Sequence, residues 1–144
     1  MAVNQRSESF VLILKQWLRK IDEKSRFIIV GGFGTGLAWC VYSLIYWILP
    51  FDSKAVMAWV IGFVVAVAQQ HTLHRNFTFF STSEPFLPEL LRAYVAYSFG
   101  MVVSTFFHFY FTMIRDIHHQ VSWVISTAIS IICNFLMLKV FVFR

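Results

Sequence analysis

Two segments of this chain carry side chains spaced to hold an anion. Gln70 stands five residues before Arg75, and Asn134 stands five residues before Lys139, 64 positions further on. A Phe-x-Phe follows each cation, as Phe77 and Phe79 in the first segment and Phe141 and Phe143 in the second. An amide donates N–H bonds and a lone cation supplies charge, so each pair suits a phosphate oxygen or a sugar hydroxyl. Arg26 and Arg92 form a second duplicated pair, 66 residues apart. The duplication marks one structural unit used twice, with the same groups at the same depth.

The elements that must position these groups follow from composition. Apolar residues make up 58% of the chain, charged residues only 13%, and the net charge is +5; mean hydropathy is +0.68. Soluble domains carry roughly 25% charged residues, so water is not the main solvent of this chain. No Asp, Glu, Lys or Arg occurs in Phe27–Phe51, Ala55–His74, Ala93–Ile114 or Ile117–Leu138, which are 25, 20, 22 and 22 residues long. A bilayer-spanning helix needs about 20. The expectation is an all-α membrane protein with four transmembrane helices, near Phe27–Leu49, Lys54–Leu73, Arg92–Ile114 and Val121–Phe143. Residues 1–25 form a segment outside the bilayer and 26–144 the membrane domain, with repeats at 26–79 and 92–143. The loop Ser81–Glu89, with Pro85 and Pro88, divides the halves.

Basic residues orient the spans. Arg6, Lys15, Arg19, Lys20, Lys24, Arg26, Arg75, Arg92, Lys139 and Arg144 belong to one side, and only Lys54 and Arg115 to the other. This bias puts both termini in the cytoplasm, and the positive charge reads as topology and attraction to anionic lipid rather than nucleic-acid binding. The first 26 residues are polar and of mixed charge, unlike a cleavable signal peptide. Within them Phe10, Ile13, Leu14, Trp17, Leu18 and Ile21 recur at helical spacing among Lys15, Arg19 and Lys20. Ser9–Ile21 is thus expected to be an amphipathic helix on the membrane face, or one packed on a partner protein. Cys40 and Cys133 lie inside spans and read as small apolar residues.

Both halves start inside, cross and return, as parallel repeats about an axis along the membrane normal; Gly34 and Gly100 share the 66-residue offset. Spacing of four puts Ala58, Gly62, Ala66 and Gln70 on one helix face and Ser122, Ser126, Ser130 and Asn134 on the matching face of the second half. Such rows are either helix–helix seams or walls of a polar groove, because both want small polar residues. Tyr97, Ser104, His108 and Thr112 supply a possible opposite wall. Gly32, Gly36 and Cys40 form a further small-residue row that reads as packing. His108, the one ionisable group deep in a span, packs neutral against Ser104 or touches a substrate.

Missing residues narrow the function. No span holds a carboxylate to carry a proton or a cationic drug, and no phosphate loop, nucleophile elbow or metal-spaced Cys cluster is present. His71 and His74 lack visible partners for a metal, and His118 with His119 in the outer loop reads as a solvated turn ahead of a sugar contact or a group titrating near neutral pH. No cofactor and no catalytic residue is expected. A charged or carbonyl-lined ion filter is also missing.

Four spans, the basic amphipathic segment, Val30–Gly32 early in the first span and the duplicated amide–cation–Phe-x-Phe ends resemble the GtrA family over about Arg26–Arg144. Family members carry Asn-x3-Asn-Arg at the first end; here Gln70 and His74 replace the amides and Arg75 is kept. The second end keeps Asn134 and Lys139, with Leu138 between. The resemblance implies membrane handling of polyprenyl-phosphate sugars for cell-envelope polysaccharide, a partner glycosyltransferase and a bacterial inner-membrane location. The expectation is a non-enzymatic translocase, functioning as a homodimer, that moves a polyprenyl-phosphate sugar or the bare carrier. Arg75, Lys139, Arg26 and Arg92 hold its phosphate; Gln70, Asn134, Ser122, Ser126, Ser130, Ser104 and His108 line its path. The alternative is a membrane scaffold that recruits the glycosyltransferase.

Overall fold

The computed structural model describes residues 11–50, 52–80 and 85–141, with side chains as far as Asn134. All regular structure among them is helical. A short helix α1 (residues 11–18) precedes α2 (Glu23–Ile48), α3 (Lys54–Leu73), α4 (Phe86–Phe109) and α5 (His119–Phe141). Among the described residues, three helical stretches are long and apolar enough to cross a membrane: Glu23–Ile48, Lys54–Thr78 and Phe86–Ile114. Helix α5, of 23 residues, overlaps the segment Val121–Phe143 expected as a fourth span, of which residues 142 and 143 lie outside the described residues.

Local chemistry explains where the helices begin and end. Asp22 caps α2 by accepting the Ser25 N–H at 3.0 Å, satisfying one of the donors that a helix start leaves unpaired. α2 stops at Ile48 because Leu49 precedes Pro50, whose ring drives it out of the helical region; Leu49 is extended, with φ −71° and ψ 128°. α3 and α4 each run into a five-residue π-helical turn, His74–Thr78 and Tyr110–Ile114. Each turn closes with a six-residue bond, Phe79 N–H to His74 O at 2.9 Å and Arg115 N–H to Tyr110 O at 3.0 Å. A left-handed residue follows in both cases, Phe80 with φ 50° and Asp116 with φ 49°.

One expected boundary is corrected. The loop drawn over Ser81–Glu89 gives way to helix at Phe86, so Pro88 and Glu89 lie in the first turn of α4. Proline is tolerated there because the N–H it lacks would have no helical acceptor. Glu89 consequently belongs to a helix long enough to span, where the sequence pattern had left no carboxylate.

α2 packs on α3 and α4 on α5, and α3 also lies against α4. The core is small: Tyr42, Ala58 and Trp59 form its centre, with Ile45, Tyr46, Phe63 and Trp123 around it. Most other large apolar side chains face outward, Ile28, Leu44, Trp47, Val95 and Val102 among them. A bundle with its greasy side chains outside is built for lipid, where packing and polar contacts between helices replace the hydrophobic drive.

Candidate functional site

The duplicated amides do the same thing twice. Gln70 on α3 lies flat against Gly34 of α2, and Asn134 on α5 lies flat against Gly100 of α4. A Cβ on Gly34 would stand 2.7 Å from Gln70 Cδ and 2.8 Å from its Nε2; one on Gly100 would stand 2.9 Å from Asn134 Cγ. Only glycine leaves room. Gln70 Nε2 donates to Gly31 O at 3.2 Å, and Asn134 Nδ2 donates to Ser130 Oγ at 3.5 Å. Both amide oxygens are buried without a conventional hydrogen-bond partner. In both contacts the amide oxygen is the atom that a Cβ on the facing glycine would meet first. Gln69 tightens the first contact by donating Nε2 to Gly34 O at 2.9 Å.

The cations collect at this same end of the bundle. Arg75 forms an ion pair with Glu89 of α4, and its guanidinium lies 5.7 Å from the Phe86 ring centre. His71 Nε2 is 3.6 Å from the same carboxylate oxygen, Glu89 Oε2, and makes no hydrogen bond. His74 stacks on Phe27 at 4.5 Å and bonds Thr78 Oγ1 at 3.0 Å. Arg26 donates to Leu18 O at 3.5 Å, and Arg19 and Arg26 sit over the Phe80 ring at 4.9 and 4.8 Å. With Lys15 at 5.6 Å from Phe77, these contacts fasten α1 to the turn after α3. α1 keeps Leu12, Ile13 and Trp17 exposed and buries Leu18.

Two hollows open at the basic end. One, of about 330 Å³, is lined by His71, His74, Arg75, Phe79 and Glu89. The other, of about 280 Å³, is lined by Arg92, Ala93, Ala96, Tyr97 and Asn134. Each holds an arginine expected from the sequence. The side chain of Lys139 lies outside the described residues, so the fourth expected cation has no described place in either hollow.

Apart from Gln70 and Asn134, the expected groove residues run from Ser130, beside Asn134, away from the basic end, and they are closed. Ser104, His108, Ser122 and Ser126 have no exposed surface, and Ser130 only 6%. His108 Nδ1 meets Ser126 Oγ at 3.3 Å and its Nε2 meets Tyr42 Oη at 3.5 Å. Trp59 stacks on the His108 ring at 4.8 Å and donates Nε1 to Thr105 Oγ1 at 3.1 Å. Ser104 turns away from His108 and donates to Gly100 O within its own helix at 2.6 Å. Gly62 meets Tyr42 as Ser126 meets His108, its Cβ position 3.6 Å from the Tyr42 Cα. By contrast the Gly32–Gly36–Cys40 row is exposed, and nothing lies within 4 Å of a Cβ on either glycine.

Tyr42 continues the network outward. Its hydroxyl meets His119 Nδ1 at 3.3 Å, and His119 stacks on Tyr46 at 3.6 Å, with Lys54 Nζ 4.7 Å from the centre of the same Tyr46 ring. Burial first, then the charges of His118 and Lys54, hold the His119 pKa below its usual value. Sequence reasoning missed Tyr42, Trp59, Trp123 and Glu89, and it read His119 as part of a solvated turn, whereas His119 opens α5 and stacks on Tyr46. The signal for three of these was present: Tyr42 and His108 are 66 apart, and Trp59 and Trp123 are 64 apart, the offsets of the glycines and of the amides. Trp59 covers His108 while Trp123 lies 6.2 Å from Tyr42.

An all-helical membrane protein, with a cationic and hydrogen-bonding end, is what this fold and site define. The sequence pattern described as GtrA/DPMS, transmembrane domain, matches residues 26–144, and the chain belongs to the GtrA family. No curated protein and no solved structure gives a match. Membership associates the chain with polyprenyl-sugar processes in membranes, in a family that is generally non-catalytic.

Proposed function

We propose that the protein translocates a polyprenyl-phosphate-linked sugar across the bacterial cytoplasmic membrane for cell-envelope polysaccharide synthesis, without enzymatic chemistry. The observation that carries this reading is the pair of hollows at one end, each with an arginine, and one bordered by a duplicated amide. In this reading α5 is the fourth span, the halves are parallel repeats, and the basic end with both termini faces the cytoplasm. Arg75, Arg92, Arg26 and Lys139 attract the phosphate, since charge-assisted bonds at headgroup depth favour an anionic lipid. The polyprenyl tail stays in the bilayer beside the apolar outer faces. Asn134 and Gln70 offer the first uncharged partners above the cations.

The hydroxyls of Ser122, Ser126 and Ser130, with Ser104 and His108, lie closed between α4 and α5. Passage along them requires those helices to part, and a second copy then shields the opened polar path from acyl chains. The exposed Gly32–Gly36–Cys40 row supports such a homodimer, because small residues allow close helix approach.

A scaffold that recruits a membrane glycosyltransferase is the second reading, favoured by the exposed apolar face of α1. Reconstitution separates the two. Purified protein in liposomes is given a labelled polyprenyl-phosphate sugar, and leaflet exchange is followed with an impermeant modifying reagent. The translocase accelerates exchange over empty vesicles, and Arg75→Gln with Arg92→Gln suppresses it. Exchange equal to empty vesicles removes the translocase reading.

A further inference from the structure

The hollow around Arg75 holds a feature that a plain phosphate site lacks. Glu89 shares it, in contact with Arg75 and 3.6 Å from His71. The other hollow has Arg92 and Asn134 in its lining and, among the described residues that line it, no carboxylate. A carboxylate beside an arginine cancels its charge, which weakens attraction for any anion and most of all for a doubly charged one. We propose that Glu89 is the specificity residue of this site, selecting a sugar-bearing phosphodiester over a bare phosphate monoester. The inference rests on the translocase reading and deepens it, because it says which form of the lipid is received at the basic end.

The chemistry differs in two ways between the two lipids. A phosphate monoester titrates near pH 6 and carries close to two negative charges at neutral pH; a glycosyl phosphodiester carries one. The second charge is repelled by Glu89, and a like charge at such range shifts binding by about tenfold or more, as it shifts a neighbouring pKa by a unit or more. The second difference is hydrogen bonding. An ionised carboxylate only accepts, so it pairs with sugar hydroxyls and not with deprotonated phosphate oxygens. His71 Nε2, buried and beyond hydrogen-bond length from Glu89, is placed to take part in the same contact. Phe79, half exposed at the rim, offers a ring for the apolar face of a sugar. About 330 Å³ is within the range of small-molecule sites, so one headgroup fits.

The test uses the full chain in nanodiscs and three short-chain ligands: a prenyl phosphate, its methyl phosphodiester and its glucosyl phosphodiester. Wild-type protein is expected to bind them in rising order, with about tenfold or more between the first and the last. The methyl diester isolates the effect of charge and the glucosyl diester adds the hydroxyls. Glu89→Gln is expected to tighten binding of the prenyl phosphate and to shrink the spread severalfold, whereas Glu89→Asp, which keeps the charge, preserves the order. A wild-type order that is flat or reversed overturns the proposal, even if Glu89→Gln does not fold. So does a Glu89→Gln variant that folds and keeps the wild-type spread. In both of those cases binding itself leaves the translocase reading standing. If none of the three ligands binds wild-type protein, the headgroup site and this inference fall together.

Discussion

Adding one methyl group at Gly34 or Gly100 probes the duplicated contact directly, and the two copies should not respond alike. Gly34→Ala drives a Cβ into the Gln70 amide, with 2.7 Å to Cδ and 2.8 Å to Nε2. Glutamine has a long, jointed side chain and can swing its amide away. Doing so breaks the bond to Gly31 O and strains a rotamer, at about 0.6–1.7 kcal/mol for the bond in a membrane and about 0.5–1.5 for the rotamer. The expected cost is about 1–3 kcal/mol in total. Asparagine is one methylene shorter, so the Asn134 amide cannot clear a Cβ on Gly100 without moving α5. That is overpacking of a helix seam, about 1–3 kcal/mol, added to the loss of the amide's own contacts. Gly100→Ala is therefore expected to cost about 2–4 kcal/mol and more than Gly34→Ala. Gly32→Ala and Gly36→Ala are internal controls, with nothing within 4 Å of the new carbon. Unfolding in mixed micelles, followed by circular dichroism against rising SDS fraction, measures all four. A double-mutant cycle completes the test, since Asn134→Ala in the Gly100→Ala background should recover part of the loss by making room. Equal stability of Gly100→Ala and Gly36→Ala, or strict additivity in the cycle, would refute the reasoning.

Three other outcomes are expected. His108→Leu removes the partner of Ser126 and one partner of the Tyr42 hydroxyl, lowering stability by about 1–3 kcal/mol, and Tyr42→Phe in that background is less damaging than alone. Unfolding midpoints check this, and unchanged stability of His108→Leu would count against the buried network. Phe80→Ala removes the ring between Arg19 and Arg26, about 0.5–1 kcal/mol for each cation, so amide hydrogen exchange in residues 11–18 should quicken while α2–α4 stay protected; unchanged exchange in that segment contradicts the docking. His119 favours its neutral form in the fold, so the unfolded chain binds the extra proton first. Stability attached to it is complete above about pH 6.5 and declines as the pH falls below that value. His119→Gln should flatten the fall in unfolding midpoint between about pH 7.5 and 5, and a slope equal to wild type would exclude His119 as its source.

Much of the fold was legible because lipid imposes a coarse code. Charge-free runs about 20 residues long mark helices whatever their partners, and the offsets of 64 and 66 mark corresponding positions. What the offsets do not state is which positions touch. Gly34 and Gln70 were each paired with their counterpart in the other half, yet their contact is with one another, across a single hairpin. The rows of four were undecided between seam and groove for a physical reason, since close helix approach and hydrogen-bonding to a sugar select the same small polar residues. The described conformation has the serine row closed. Glu89 escaped notice because Pro85 and Pro88 looked like loop residues, although proline is at home in a first helical turn. His108 was visible as an oddity, and the 66-residue offset marks Tyr42 as its counterpart, but no offset says that Tyr42 and Trp59 touch it.

The glycine–amide contact also bears on how such a protein is made. Each contact joins residues of one hairpin, Gly34 to Gln70 and Gly100 to Asn134, 36 and 34 positions apart. A ribosome adds about 5–20 residues per second, so Gln70 is synthesised seconds before Asn134. The first hairpin can therefore latch at its correct register within the bilayer while the second is still being translated. When α4 arrives it meets a finished surface, with Trp59 and Tyr42 already in place to receive His108. A defect in the first latch would then already be present when the second hairpin is made.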